Sequence, residues 1–133
     1  MPLVRISLRQ GKSSDYKTKI ANAVHQAMVE TIGIPPADRF QIITEHAPDM
    51  LLYDPHYLGI ERTGDIVVVQ ISLSAGRTVD QKRALYQRIT SLLEDSPGIR
   101  PADVLVNLIE VAKDADTSKA NWSFGLGVAQ YLG

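Results

Sequence analysis

Apolar residues follow two rhythms along this chain. At Leu3 to Leu8, Phe40 to Thr44, Ile66 to Leu73 and Val104 to Val111 they are crowded, rich in β-branched types and of strand length. Between these runs the spacing changes to threes and fours: Ile20, Val24, Ala27, Met28, Thr31 and Ile32 in one stretch, Leu85, Ile89, Leu92 and Leu93 in the other. That spacing predicts two amphipathic helices. Gly11 and Gly76 mark the turns from strand into helix, and Gly33 and Gly98 are predicted to end the helices. In the stretch between the two halves, Asp54-Pro55 and Gly59 mark turns, and Met50 to Tyr53 is predicted as a short edge strand.

The two halves are copies of one another. Displaced by 65 residues, the sequence aligns with itself without a gap from Val4/Val69 to Ala47/Ala112, with fourteen identities. They cluster at Ile6-Ser7-Leu8 with Ile71-Ser72-Leu73 and at Pro36-Ala37-Asp38 with Pro101-Ala102-Asp103, where a strand should end and another begin. The repeated object is therefore one strand–helix–strand unit, over about 2–48 and again over 67–113, within a single domain spanning 1–133 and followed by a C-terminal segment at 114–133. Parallel crossovers are right-handed. Two of the same hand give an α+β fold, a duplicated βαβ with a four-stranded mixed sheet and both helices on one face. The other face then needs cover. Strands as apolar as Ile66-Val67-Val68-Val69 predict an oligomer whose sheets face inward.

Composition narrows the classes. With 133 residues, 44% apolar and 22% charged, the chain has the make-up of an ordinary globule. Its 14 Lys+Arg against 15 Asp+Glu give a net charge of −1, without the basic excess of a nucleic-acid groove. It has no Cys, which removes disulfides, thiolate metal sites and cysteine nucleophiles. Met1-Pro2-Leu3-Val4-Arg5-Ile6 has no basic segment leading into an apolar one, so a cytoplasmic protein without a signal peptide or membrane partner is expected.

Few residues can carry chemistry. His25, His46 and His56 show no paired-ligand spacing, and Gly125-Leu126-Gly127 lacks the strand and third glycine of a dinucleotide loop, so neither metal nor cofactor is expected. Pro2 differs. Removal of the initiator Met, usual before a small residue, would leave a prolyl amine at the start of a strand. An α-amino group titrates at about 7.7 to 8.0, and apolar burial lowers that value, giving a base near neutrality. A strand's first residue also tolerates proline for purely structural reasons. Arg77, in the loop after the third strand, is suited to a substrate carboxylate or is a solvated turn residue like its counterpart Lys12. Asp38 is either a second polar catalytic group or a turn residue shared with Asp103.

Together, Pro2, the duplication, Pro36-Ala37-Asp38-Arg39-Phe40-Gln41, Ala75-Gly76-Arg77-Thr78 and Asn121-Trp122-Ser123-Phe124-Gly125 resemble the tautomerase superfamily, and within it the malonate semialdehyde decarboxylase group. The resemblance implies a homotrimer acting on a small carboxylate-bearing oxo acid or enol, with promiscuous keto–enol tautomerase or hydratase activity beside decarboxylation. It implies Pro2 as the catalytic amine, Asp38 as an aid to proton and water chemistry, Arg77 as the carboxylate ligand, and Trp122, Phe124 and Tyr131 as an aromatic wall. Arg39 is counted with the substrate-binding residues, and Arg39 and Arg62 are the next candidates for the carboxylate after Arg77. One position departs from the pattern. Some decarboxylases of the group carry a second arginine two residues before that of Arg77, where this chain has Ala75. A 2-oxo acid tautomerase without decarboxylase activity and a non-catalytic ferredoxin-like binding module remain the alternatives.

Overall fold

A computed structural model of the chain describes residues 2–112. Six main elements run in the order β1 (Leu3–Arg9), α1 (Ser14–Ile32), β2 (Gln41–His46), β3 (Val67–Ser74), α2 (Val79–Asp95) and β4 (Val104–Val111). They form one sheet of order β2-β1-β3-β4. The outer pairs are parallel and share one register, since Val4 faces Gln41 as Val67 faces Val104. The central pair β1–β3 is antiparallel and sets Arg5 opposite Gln70, so the pseudo-twofold relating the halves passes through that pair. The α+β duplication expected from the sequence is the fold observed.

Both helices begin on hydroxyl caps. Ser13 Oγ accepts from the Tyr16 amide, and Thr78 forms a reciprocal capping box with Gln81. α1 ends as expected, with Gly33 left-handed at φ 69° and its N–H bonded to the Met28 carbonyl. α2 stops at Asp95, short of Gly98, because Pro97 has no N–H to continue the ladder. Gly98 and Ile99 still fold back, both donating to the Leu93 carbonyl. The core lies between helices and sheet. Ile20, Val24, Met28, Leu85, Ile89 and Leu93 pack there on Val4, Ile6, Leu8, Val67, Val69, Ile71 and Leu73.

One expectation is corrected. No strand forms over Met50–Tyr53. Met50 N–H closes a turn on the Ala47 carbonyl, and Met50 and Leu52 are 70% and 81% exposed, so the stretch begins in a turn and lacks the burial of a strand. The face opposite the helices is mixed in character. It alternates along β1 as Leu3, Arg5, Ser7, Arg9, with Gln70 and Ser72 across from them. Its exposed apolar side chains are Ile42, Leu105 and Ile109, on the outer strands. Among the described residues no helix is long and apolar enough to cross a membrane.

Candidate active site

The topology brings three sequence candidates to one end of the sheet, where β1 and β2 start and β3 and β4 finish. Pro2 stands buried just before β1. Carried one residue past Leu3↔Ser72, the antiparallel register sets Pro2 across from Leu73, beside the loop that leads to Arg77. On its other flank the Val4 amide donates to the Phe40 carbonyl at 3.0 Å, which places the Asp38–Phe40 segment next to Pro2. A proline costs nothing there, because no ladder donor is needed beyond the strand end.

Each flanking residue is held by its own local geometry. The Asp38 amide closes a turn on the Pro35 carbonyl at 2.9 Å, and its Oδ1 is buried without a hydrogen-bond partner among the described residues. Arg77 folds back over the end of β3, its Nη1 donating to the Ser74 carbonyl at 3.0 Å, and the loop is pinned to β4 by Ala75 N–H on Val111 at 2.9 Å. No carboxylate among the described residues lies within 4.0 Å of the Arg77 guanidinium. Arg39 is directed elsewhere. Its Nε and Nη2 donate to Gln41 Oε1 at 2.8 Å and Asn22 Oδ1 at 2.7 Å, which leaves Nη1 for any substrate. Trp122, Phe124 and Tyr131 lie outside the described residues. Arg62 sits apart in the linker, donating to the Tyr57 carbonyl at 3.2 Å.

The opposite end of the sheet is the internal control. There the pseudo-twofold replaces Pro2, Asp38 and Arg77 by Val67, Asp103 and Lys12, and the same three places are filled by the chain itself. Asp103, 1% exposed, accepts the Thr63 N–H at 2.6 Å and the Thr63 hydroxyl at 2.7 Å. Lys12 pairs with Asp65 at 2.6 Å, and that contact holds its ammonium above the usual lysine range. Val67 contributes only a peptide N–H, which is not a base. At the proline end, none of the described residues takes the places of Thr63 and Asp65. Among the described residues, then, Asp38 Oδ1 on one flank of the buried Pro2 has no hydrogen-bond partner and the Arg77 guanidinium on the other has no acidic one, a pair of groups that suits a small anion carrying a second polar group.

Sequence reasoning passed over Thr63 and Asp65, although the self-alignment sets them just ahead of the strand that repeats β1. It also gave no role to His25, whose ring Nε2 lies 2.8 Å from the Pro36 carbonyl. Among the described residues no group of three His, Cys, Asp or Glu side chains is arranged to hold a metal.

Comparison with known proteins gives one answer. Residues 38–125 match one family model and residues 2–60 another, both described as tautomerase enzyme. Two proteins of Bacillus subtilis (strain 168) align over 132 residues and 99% of this chain: probable tautomerase YusQ at 38% identity, covering 99% of that protein, and probable tautomerase YrdN at 33%, covering 97%. Among solved structures, a malonate semialdehyde decarboxylase superposes with a TM-score of 0.82 at 33% identity, covering 98% of this chain and 95% of its own. A second, FG41 malonate semialdehyde decarboxylase inhibited by 3-bromopropiolate, gives 0.83 at 37%, covering 98% and 94%. A fused 4-OT symmetric trimer gives 0.69 at 30%, covering 84% and 86%.

Proposed function

The chain belongs to the tautomerase family, close to the malonate semialdehyde decarboxylase group, and on that premise we propose that it uses the amine of Pro2 as acid and base on a small oxo acid held by Arg77. The observation that carries this reading is the contrast between the two ends of the sheet. At the far end the chain engages Lys12 and Asp103 with its own Asp65 and Thr63, whereas at the Pro2 end none of the described residues hydrogen-bonds Asp38 Oδ1 or sets a carboxylate on Arg77.

Each residue has a distinct part. Arg77 takes the substrate carboxylate, which orients the adjacent carbon toward Pro2. As a neutral amine, favoured by burial, Pro2 moves a proton between oxygen and carbon and so interconverts a 2-hydroxy-2-enoate and its 2-oxo acid. As a cation, favoured by the neighbouring Asp38, it donates a hydrogen bond to the carbonyl of a 3-oxo acid. The bond to the carboxylate carbon then breaks, its electron pair passes to the enolate, CO2 leaves, and the enolate carbon takes a proton. Asp38 holds the enol hydroxyl, or a water for hydration.

Ala75 favours the second reading, a tautomerase without decarboxylase activity. Its methyl group donates no hydrogen bond where some decarboxylases of the resembled group carry an arginine. The test compares 3-oxopropanoate decarboxylation with ketonisation of a 2-hydroxy-2-enoate across pH. Both activities, lost together in Pro2→Ala, are expected. Ketonisation alone selects the second reading, and neither activity overturns both. The assembly is proposed to be a homotrimer in the cytoplasm, as a related fused 4-OT is a symmetric trimer. Ile42, Leu105 and Ile109 on the uncovered sheet face give it an apolar surface to bury. Light scattering that reports a monomer at micromolar concentration would overturn the trimer.

A further inference from the structure

The two aspartates of the repeat are held in different ways. Asp103 is fixed through its own carboxylate, which Thr63 occupies with two hydrogen bonds. Asp38 has no such anchor, and the turn that carries it, Pro35–Ala37, is exposed. It is gripped from behind by α1 instead. His25 Nε2 lies 2.8 Å from the Pro36 carbonyl. Because a carbonyl only accepts, that nitrogen carries the hydrogen. Three residues earlier on the helix, Asn22 Oδ1 accepts from Arg39 at 2.7 Å, and the Ala21 carbonyl accepts from Gln41 at 2.8 Å. The turn is therefore tied to one helix face on both sides of Asp38. The other repeat has no counterpart. Thr90, which stands where His25 does, donates to Tyr86 of its own helix at 2.9 Å, and Val104 and Val106 replace Arg39 and Gln41.

We propose that His25 is a positioning residue, which with Asn22 clamps the Pro36–Asp38 turn through its backbone and neighbours so that the Asp38 carboxylate stays both fixed and free. A carboxylate that must receive a substrate hydroxyl or a water cannot also be the anchor of its own turn. Moving the anchor two residues back, onto a backbone carbonyl, meets both needs. The inference rests on the proposed function for its catalytic consequence, but the clamp itself is measurable without substrate.

The experiment uses the full chain with a 2-hydroxy-2-enoate as probe. In His25→Ala, kcat should fall about tenfold with KM within about twofold, since the Arg77 contact is untouched and misplacement of a catalytic group by about 1 Å costs up to a hundredfold. His25→Gln, whose amide N–H can also reach a carbonyl, should recover most of that loss. In an Asp38→Ala background, His25→Ala should add nothing. Amide hydrogen exchange at Asp38 and Arg39 should quicken in His25→Ala, whatever the substrate. Unchanged exchange, or unchanged kcat where Asp38→Ala is impaired, overturns the clamp alone. So does a full additional loss in the Asp38→Ala background, or a fall in melting temperature that tracks kcat and is not rescued by glutamine. Quickened exchange with Asp38→Ala at wild-type turnover overturns instead the catalytic use of Asp38, and the positioning role with it.

Discussion

Replacing Arg77 by alanine separates a binding role from a structural one, because the structure assigns this side chain very little structural work. Its one hydrogen bond to a described residue runs from Nη1 to the Ser74 carbonyl at the end of β3, at 3.0 Å. A bond of that kind contributes about 1 kcal/mol net, and Ala75 N–H still pins the loop to Val111. The melting temperature should therefore fall by no more than about 4 °C. Binding is another matter. A guanidinium holding a substrate carboxylate contributes about 1.5 to 3 kcal/mol, which is roughly ten- to a hundredfold in kcat/KM. The assay is ketonisation of a 2-hydroxy-2-enoate beside 3-oxopropanoate decarboxylation, with a thermal melt of the same preparation. Arg77→Lys, which keeps the charge but loses the planar fork, should fall between wild type and alanine. If Arg77→Ala keeps kcat/KM within about twofold for both reactions, the carboxylate lies elsewhere and the reading of the open end is wrong.

Other perturbations test other parts of the argument. Pro2→Ala keeps an α-amine but makes it primary and flexible, and steady-state turnover should fall by at least about a hundredfold; unchanged turnover would return Pro2 to a strand-start role. Asp103→Ala should cost about 2 kcal/mol in chemical denaturation, because it strands the Thr63 amide, whereas Asp38→Ala, which removes an unpartnered buried oxygen, should cost little stability but most of the activity; equal stability losses would contradict the contrast between the ends. Ala75→Arg should raise decarboxylation of 3-oxopropanoate relative to ketonisation, and an unchanged ratio would detach position 75 from substrate choice. Glu30 is held below the usual carboxylate range mainly by its hydrogen bond from Arg88, so its small contribution to stability is present above about pH 4.5 and is lost as pH falls through the depressed value; melting curves of Glu30→Gln that differ from wild type as much at pH 3 as at pH 7 would refute that linkage.

The framework was legible because it is written twice. Ile6-Ser7-Leu8 and Pro36-Ala37-Asp38 recur at one offset, and a signal that occurs twice survives noise that would blur either copy. The helix faces were equally readable from period alone: of the positions singled out, only Thr31 and Leu92 fall short of full burial. What failed was local and depended on neighbours. Met50–Tyr53 has the composition of a strand, but its first amide is taken by a turn on Ala47 and it pairs with neither outer edge of the sheet. The mixed character of the face opposite the helices was also readable, since Arg5, Ser7 and Arg9 alternate with the buried positions of β1. For the candidate site, the strand pattern sets Pro2, Asp38 and Arg77 at strand ends, which the fold brings to one end of the sheet, but it cannot say which aspartate of a repeated pair is occupied. That depends on Thr63 and Asp65, which belong to neither repeat.

Duplication also bears on how such a site stays specific to one end. A pseudo-twofold sheet presents two equivalent places where a carboxylate and a cation flank a strand start. If both were open, the chain would carry a second anion pocket with Val67 in place of an amine, binding substrate without turning it over. The stretch before β3 closes that pocket with groups of matching chemistry: a carboxylate on Lys12 and a hydroxyl with a backbone N–H on Asp103. Each closure has its own strength. The Lys12–Asp65 pair is solvated and worth little, while Asp103 is 1% exposed and its contacts to Thr63 are worth more. Opening the pocket by Asp65→Ala should therefore barely change stability, yet leave Lys12 free to take a small carboxylate weakly and without turnover. Titration of that variant with a non-reactive mono-acid, followed by the Lys12 side-chain resonance, should show millimolar binding that wild type lacks. Identical behaviour of the two proteins would mean that Asp65 is a surface residue and that the likeness between the two ends stops at the backbone.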